Sequence, residues 1–356
     1  MRLILEWFKR TFSDPQLVVL LLLLTSGFAI IITMGDMLAP LLASIVIAYL
    51  LEGLIALMER WGMPRMVAVL IVFVLFLVAL ALIMFALMPL LYKQVSELLQ
   101  QLPRMLSQGQ QALMALPEKY PELVSPEQIS NVMKALGGEV GNLGQRILSA
   151  SLSSVVGFIT VSVYLVLMPL LVFFFLKDKQ LIIKWISNRL PDERLIAINV
   201  WTEVDGQIAN YVRGKFWEII VVWFASLMTF MALELQYAML LGLLVGLSVI
   251  VPYIGATMVT FPVLLVGWFQ WGWGADLGWL ALAYLIIQAL DANVLVPLLF
   301  SEVVSLHPVA IILAILVFGG FWGFWGVFFA IPLATLVNAV LQAWPTRKRL
   351  EDPETA

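Results

Sequence analysis

The stretch Leu243–Gly267 is apolar enough to lie in a membrane, yet Pro252-Tyr253-Ile254-Gly255 interrupts it. Proline lacks a backbone N–H and ends or kinks a helix. Hydrocarbon offers no hydrogen-bond partner to the backbone groups that such a break frees. Irregular backbone at membrane depth is therefore tolerated only where protein or a water-filled cavity covers it. We expect this break to lie inside a bundle of helices, away from lipid.

The composition indicates an all-α polytopic membrane protein. Hydrophobic residues make up 62% of the 356 residues and charged residues only 12%, whereas a soluble domain carries about a quarter charged residues. We expect about eight membrane segments, including two helical hairpins, and a small extramembrane helical insertion. The absence of cysteine excludes disulfides and thiolate chemistry. The net charge of −3 offers no basic surface for nucleic acid.

The distribution of basic residues predicts the topology. Four apolar runs come first in the chain: Leu17–Met34, Met37–Leu57, Met66–Leu91 and Leu152–Leu176. Basic residues precede the first run, follow the second at Arg60, and return near both Lys177 and Arg347. Because cytoplasmic loops are enriched in Lys and Arg, we expect both termini in the cytoplasm of a multi-pass inner-membrane protein.

These signals divide the chain into six parts. They are three membrane helices in 1–91, a periplasmic helical insertion in 92–150, a fourth membrane helix in 151–176, a cytoplasmic or interfacial amphipathic helix in 177–215, a half with two broken hairpins in 216–346, and a cytoplasmic tail in 347–356. The insertion carries five basic and five acidic residues. Such a balance favours a solvated cap, and a surface that docks a periplasmic protein is the alternative.

Two interrupted apolar runs follow residue 216, where Lys and Arg are absent until after Pro345. In the first, Ala238–Val251 would form about 21 Å of helix at 1.5 Å per residue, short of a hydrocarbon core of about 30 Å. We therefore predict a hairpin that turns at the Pro252 break and returns to the external face. The second run, Val309–Ala343, is divided by the Gly-rich Phe318–Gly326 and predicts a hairpin entering from the cytoplasm. Two such Gly/Pro-interrupted segments are a sequence pointer to a transporter binding site.

An acidic residue lies deep in the single span between these runs. Asp291 has Gln288 one turn before it on the same helical face, and a charge at this depth costs about 2.5–3.5 kcal/mol on insertion scales. Pro297 leaves the carbonyl of Asn293 without its helical donor, and Pro252 and Pro332 do the same for Ser248 and Phe328. The resulting cluster of oxygens suits a proton, a hard cation or a polyhydroxylated solute. Alternatively, Asp291 is protonated and only hydrogen-bonds a neighbouring helix.

We predict a substrate or ion path from these features. Its residues are Asp291, Asn293, Gln288, Pro297, Pro252, Tyr253, Gly255, Ser248, Gly319, Gly320, Gly323, Gly326 and Pro332. Three secondary candidates have simpler interpretations. Glu218 follows Lys215 by three residues, which predicts an ion pair at the membrane interface. Glu302 is expected to cap a helix end, and His307 is expected to be structural, although it could relay a proton.

Several motifs resemble those of the autoinducer-2 exporter family of bacterial membrane proteins. They are Phe12-Ser13-Asp14-Pro15, Leu38-Ala39-Pro40-Leu41-Leu42, Pro252-Tyr253-Ile254-Gly255-Ala256, "LIIQALDANVLV", "LFSEVVSLHP" and "FGGFWGFWGVFFAIPLATL". The resemblance implies an inner-membrane permease with roughly eight membrane segments. It also implies a homo-oligomer, for which we expect five subunits. The activities it implies are export of the quorum-sensing furanone autoinducer-2 or sodium-coupled proton antiport.

These features bear on three classes of function. The leading hypothesis is a secondary transporter that exports a small, autoinducer-2-like solute, coupled to protons or sodium at Asp291, with a monovalent cation/proton antiporter as the alternative. The second is a membrane scaffold that docks envelope proteins through the 92–150 insertion. The third, an enzyme, is disfavoured because the chain has no His-Glu-x-x-His, no Gly-x-Gly-Asp and no phosphate-binding loop with Lys. We expect no cofactor and no bound metal.

Overall fold

A computed structural model describes residues 15–114, 155–189, 195–252, 254–300 and 307–343. Every regular element in these ranges is helical. The helices are α1 Pro15–Arg60, α2 Arg65–Leu82, α3 Met88–Met114, α4 Val155–Lys177, α5 Lys179–Ser187, α6 Leu195–Ala232, α7 Ala238–Ser248, α8 Ile254–Trp271, α9 Ala275–Leu290, α10 Val296–Phe300, α11 Pro308–Phe328 and α12 Ala330–Ala343, with π-helical segments at Ile83–Leu87 and Asp291–Leu295.

The described helices form a polytopic membrane architecture. Six helical segments of the described residues are long and apolar enough to cross a membrane, two of which join consecutive helices through a π segment. Two shorter apolar segments accompany them, Ser162–Lys177 within α4 and Ala238–Ser248, which is α7. The prediction of an all-α polytopic protein is therefore confirmed. Most of the predicted insertion, from 115 to 150, lies outside the described residues, as does the C-terminal tail.

The predicted boundary between the first two apolar runs coincides with a kink in α1, where the backbone of Met34 is non-helical. The predicted end of the third run differs from the structure. The third run does not stop at Leu91, because α3 continues to Met114. This extension packs against the second half of the chain, where Met105 is buried and Gln94 Oε1 accepts a hydrogen bond of 2.8 Å from the backbone N–H of Leu240.

A charged cluster joins α1, α2 and the end of α4. Arg65 Nη2 donates to Glu52 at 3.1 Å and to the carbonyl of Leu176 at 3.0 Å. Lys179 Nζ lies 3.5 Å from Glu52 Oε1. The two loops that carry these basic residues were both predicted to lie in the cytoplasm, and their proximity places them at the same end of the bundle.

Helix α6 is the central element. It runs unbroken for 38 residues from Leu195 to Ala232, whereas the sequence indicated a cytoplasmic helix to 215 followed by a separate span. Its apolar segment already begins at Val204, because the apolar stripe of the predicted amphipathic helix continues into the membrane run. It contacts α1, α7, α9, α10 and α12. Both broken runs of the second half therefore pack against one helix.

The first broken run forms the predicted hairpin. Helices α7 and α8 contact each other and are separated by the break at 249–253. The two ends of the hairpin meet at Gln270, whose side chain donates to the carbonyl of Glu234 at 2.7 Å and accepts from the N–H of Gln236 at 2.8 Å. At the turn, a Cβ atom on Gly255 would come within 1.8 Å of the Ser248 carbonyl oxygen. Only glycine fits this approach of backbone to backbone.

The second broken run also turns back on itself. Gly323 has φ +56° and ψ −133°, a conformation that glycine adopts at low cost. A Cβ atom on Gly326 would lie 1.9 Å from the carbonyl oxygen of Phe318, eight residues earlier, which a straight helix could not bring about. The arms pack together through α11 residues Ile311, Ala314 and Ile315 against α12 residues Ala330 and Ile331.

The close approaches at the two turns predict which glycines cannot be replaced. Gly255→Ala and Gly326→Ala should each lower the free energy of unfolding by at least about 1–3 kcal/mol, since the new methyl group meets backbone that cannot rotate away. Gly320→Ala is the matched control, because nothing lies within 4 Å of its Cβ position. Gel filtration of detergent-solubilised protein after stepwise heating measures the difference. Equal melting of all three variants would contradict the two turns.

Candidate functional site

A cavity of about 720 Å³ opens where α6, the break of the first hairpin and the π segment after α9 come together. Its wall combines apolar side chains with a small number of polar ones. The lining residues are Tyr211, Lys215, Glu218, Val249, Val251, Pro252, Ala256, Thr257, Gln288, Asp291, Ala292, Val296, Pro297, Phe300, Ile311 and Ile331. A largely apolar cavity with a few convergent polar groups is the usual form of a small-molecule site.

A buried ion pair forms one wall of the cavity. Lys215 Nζ lies 2.7 Å from Glu218 Oε2, and the two residues are only 4% and 2% exposed. The sequence predicted this pair but placed it at the membrane interface. It lies inside the bundle because α6 continues through residue 215 without a break. Removing one partner of a buried pair leaves an uncompensated charge, which is strongly destabilising.

Lys215 also stabilises the broken end of the first hairpin. Its ammonium donates a hydrogen bond of 2.7 Å to the carbonyl of Val249, the residue that ends α7. The last carbonyls of a helix lack intrahelical donors, and a cation there interacts favourably with the helix dipole. The Ser248 carbonyl, which Pro252 was predicted to free, is bonded locally by the N–H of Val251 at 3.1 Å.

Tyr211 donates a hydrogen bond to a backbone carbonyl of the second hairpin. Its hydroxyl donates at 3.0 Å to the carbonyl of Phe328, the group that Pro332 deprives of its helical donor. Tyr211 and Lys215 are four residues apart and so lie on one face of α6. One face of a single helix therefore supplies a buried donor to each of the two broken helices.

Asp291 and Gln288 form the opposite side of the cavity. The Oδ1 atom of Asp291 and the Nε2 atom of Gln288 are buried and have no hydrogen-bond partner among the described residues. Asp291 begins the π segment, where its own carbonyl accepts from the N–H of Val296. Single π turns within helices occur frequently at functional sites. An acceptor and a donor are thus left for a ligand to satisfy.

The cavity wall carries one basic and two acidic side chains. Lys215 interacts electrostatically with both Glu218 and Asp291, and the two carboxylates interact with each other. With both acids ionised, one negative charge has no counter-ion among the charged side chains of the wall. A proton or a monovalent cation would balance this charge. A polar solute could instead donate to Asp291 and accept from Gln288.

The other predicted residues are placed as follows. Asn293 is exposed and its amide donates to the carbonyl of Ala289 at 2.8 Å, because it lies two positions after Asp291 and thus on another face of the helix. The remaining residues form or flank the two turns outside the cavity wall, namely Gly255, Ser248, Gly319, Gly320, Gly323, Gly326 and Pro332. His307 is exposed and caps α11, where its Nδ1 atom accepts from the N–H of Val309 at 3.2 Å. Tyr253 and Glu302 lie outside the described residues.

Sequence reasoning missed Tyr211, Lys215 and Thr257 as parts of the cavity. For Lys215 a signal existed, since it is the last basic residue before the Lys- and Arg-free half. A basic residue three positions before an acidic one, at the start of a long apolar run, is consistent with a buried pair as well as with an interfacial pair. For Tyr211, the sequence indicated only that the carbonyl of Phe328 would lack its helical donor. The hydroxyl that bonds this carbonyl belongs to Tyr211, which lies 117 positions earlier in the chain.

Comparison with known proteins relates the chain to membrane transporters. A family model described as "AI-2E family transporter" matches residues 17–346. The protein named "Putative permease PerM" of Escherichia coli is 46% identical over 345 residues, which cover 97% of this chain and 98% of the relative. "Putative transport protein YueF" of Bacillus subtilis is 26% identical, with 87% and 84% covered. "AI-2 transport protein TqsA" of E. coli is 24% identical, with 89% and 90% covered.

The contact between Tyr211 and the second hairpin predicts the effect of removing one hydroxyl. Tyr211→Phe should lower the free energy of unfolding by about 1–3 kcal/mol, because the buried carbonyl of Phe328 loses its donor. Tyr92→Phe removes a hydroxyl from a tyrosine that is 67% exposed and should change little. Thermal unfolding of both variants in the same detergent provides the comparison. A loss no larger for Tyr211→Phe than for the control would show that the bond does not support the hairpin.

Proposed function

Because the chain belongs to the AI-2E transporter family, we propose that it is a secondary transporter that exports a small polar solute through the cavity at Asp291. The observation that carries the proposal is the pair of unsatisfied buried atoms, Asp291 Oδ1 and Gln288 Nε2. A protein that only anchors itself in the membrane has no need of a deep acid beside an open cavity. The confirmed family membership agrees with the resemblance of the sequence motifs.

An autoinducer-2-like solute is the proposed substrate class. Such a solute presents hydroxyl donors and oxygen acceptors, which match the carboxylate of Asp291 and the amide of Gln288. The apolar residues of the wall would contact its carbon skeleton. One relative at 24% identity is named an AI-2 transport protein, which supports this class.

Cation binding at Asp291 is the proposed coupling event. The wall carries two carboxylates and one ammonium, so a proton or a sodium ion would restore charge balance. Transport of the cation itself, in exchange for protons, is the alternative function, and the same charge balance favours it. In the antiporter, a gradient of one ion drives only the other ion. In the exporter, the ion gradient also drives a neutral solute across the membrane.

Alternating access is proposed to arise from movement of the two hairpins against the first four membrane helices. The cavity lies between the broken end of α7, the span that carries Asp291 and the arms of the second hairpin. Discontinuous helices at the binding site are a recurrent feature of secondary transporters. We further propose a bacterial inner-membrane location with both termini in the cytoplasm, and assembly as a homo-oligomer of five subunits.

The role of Asp291 is tested by flux measurements in liposomes. Asp291→Asn should reduce gradient-driven flux by about tenfold or more, because an amide cannot take up a proton and binds a cation more weakly. Solute and sodium fluxes are measured with and without proton and sodium gradients, which separates the exporter from the antiporter. Asp276→Asn is the matched control, since Asp276 is exposed in the first turn of the same span.

Both variants must insert and elute from gel filtration like the parent protein. Undiminished gradient-driven flux through Asp291→Asn would remove Asp291 from the mechanism. Absence of any solute or ion flux in the parent protein, under all four combinations of gradients, would contradict the transporter itself.

A further inference from the structure

We propose that Lys215 transmits the charge state of Asp291 to the first hairpin, and so acts as the positioning residue that links cation binding to the movement of the broken helix. This inference deepens the proposed function and rests on it in one respect, that Asp291 alternates between a free and a neutralised state. It assigns a role to a residue that the sequence indicated only as the partner of Glu218.

The contacts of the Lys215 ammonium connect three parts of the site. The ammonium has three N–H donors, of which one bonds Glu218 on its own helix and one bonds the Val249 carbonyl at the end of α7. Its Nζ atom also lies 5.3 Å from the centroid of the Phe300 ring. Phe300 ends the helix that follows the Asp291 π segment. The same ammonium therefore touches α6, the first hairpin and the span that carries the acid.

The two carboxylates compete for this ammonium. In a buried site, where the effective dielectric is low, such charge interactions are stronger than in water. With Asp291 ionised and empty, the ammonium is attracted by Asp291 as well as by Glu218. Once a proton or cation neutralises Asp291, the attraction is lost and Lys215 bonds only Glu218 and Val249. The structure shows the bonds that this second arrangement requires.

The Val249 carbonyl carries the change into the backbone. It ends α7 beside the residues of the break, where no continuous helix holds the chain in place. A shift of the ammonium towards Asp291 weakens the bond to Val249 and removes a positive charge from the end of α7. A ligand shifts an equilibrium only through contacts that differ between the two states, and this bond is such a contact.

Few other ionisable groups complicate the site. Among the residues that line the cavity, Lys215, Glu218 and Asp291 carry the formal charges, and Tyr211 is the remaining titratable group. The Tyr211 hydroxyl is bonded to Phe328 in the second hairpin. The effect of neutralising Asp291 on the first hairpin should therefore depend on Lys215 and Glu218.

The chain has no cysteine, so a single introduced thiol can report on the hairpin without background. Thr257→Cys places the thiol on the cavity wall, in the first turn of α8 after the break. Its rate of alkylation by iodoacetamide is measured in proteoliposomes. The reagent is neutral, so the charge of Asp291 does not alter its local concentration. Asp291→Asn mimics the neutralised acid.

The test compares Asp291→Asn in two backgrounds. With Lys215 and Glu218 present, we expect Asp291→Asn to change the alkylation rate by about threefold or more, as for coupled neighbours. In the background Lys215→Met with Glu218→Gln, which removes the ion pair as a whole, the same substitution should leave the rate within about 1.5-fold. An equal change in both backgrounds, or no change in either, would overturn the proposal.

One further variant controls for general changes in alkylation, and another replaces the paired substitution if that protein does not fold. Ser107→Cys, on the exposed side of α3, should be alkylated at one rate in every background. Glu218→Asp keeps a counter-ion for the buried lysine, but its shorter carboxylate bonds Lys215 less closely than the 2.7 Å of the parent. Asp291 should then compete more strongly for the ammonium, and the effect of Asp291→Asn on alkylation of the Thr257→Cys thiol should become larger than in the parent. If the paired replacement does not fold, Glu218→Asp decides the question, since an unchanged effect would contradict competition for the ammonium.

Alkylation requires no transported solute, so the inference and the proposed function can fail separately. Loss of the Lys215 dependence while Asp291→Asn still abolishes flux would overturn the inference and leave the transporter intact. Retention of the Lys215 dependence in a protein without any gradient-driven flux would overturn the proposed function alone.

Discussion

The structure depends on satisfying backbone groups that two broken helices leave without partners inside the membrane. Hydrocarbon cannot bond them, and an unsatisfied group there costs several kcal/mol. Helix α6 meets this requirement from one face, with Lys215 bonding the end of the first arm of one hairpin and Tyr211 bonding Phe328, after the turn of the other. The two hairpins can turn at depth because this helix runs unbroken between them.

The same requirement explains why a polar cavity lies at this place. A lysine that bonds a buried carbonyl needs a buried counter-ion, which Glu218 provides at 2.7 Å. The break of the first hairpin and the π segment before Pro297 both line the cavity, and Asp291 lies at the start of that segment. The groups that stabilise the fold and the groups available to a ligand therefore line the same cavity. We infer that movement of either hairpin must alter contacts at the site.

The sequence predicted the features that follow from local chemistry. The Pro252 break, the Gly-rich turn around Gly323 and the proximity of Asp291 to Gln288 all depend on residues near one another in the chain. The freed carbonyl of Phe328 was also predictable, since it depends only on Pro332. The side chains that donate to the Phe328 and Val249 carbonyls were not predictable, because Tyr211 and Lys215 reach them through tertiary packing across 117 and 34 positions. Asn293 was grouped with Asp291 because Pro297 leaves its backbone carbonyl without a helical donor, whereas the spacing of two residues places its side chain on another face of the helix.

The central claim is that each broken run turns back inside the bundle and is held there by α6. The most direct measurement is cross-linking of Gln236→Cys to Gln270→Cys by a short, membrane-permeant bis-maleimide in native membranes, in a chain that has no other cysteine. The side chain of Gln270 bonds the backbone N–H of Gln236 at 2.8 Å, so the two positions lie within the reach of the reagent, which should join the two thiols in most of the protein. An unbroken crossing would separate these positions by about 30 Å of hydrocarbon. Absence of the cross-link, with the two thiols reactive to impermeant reagents from opposite sides of the membrane, would contradict the hairpin.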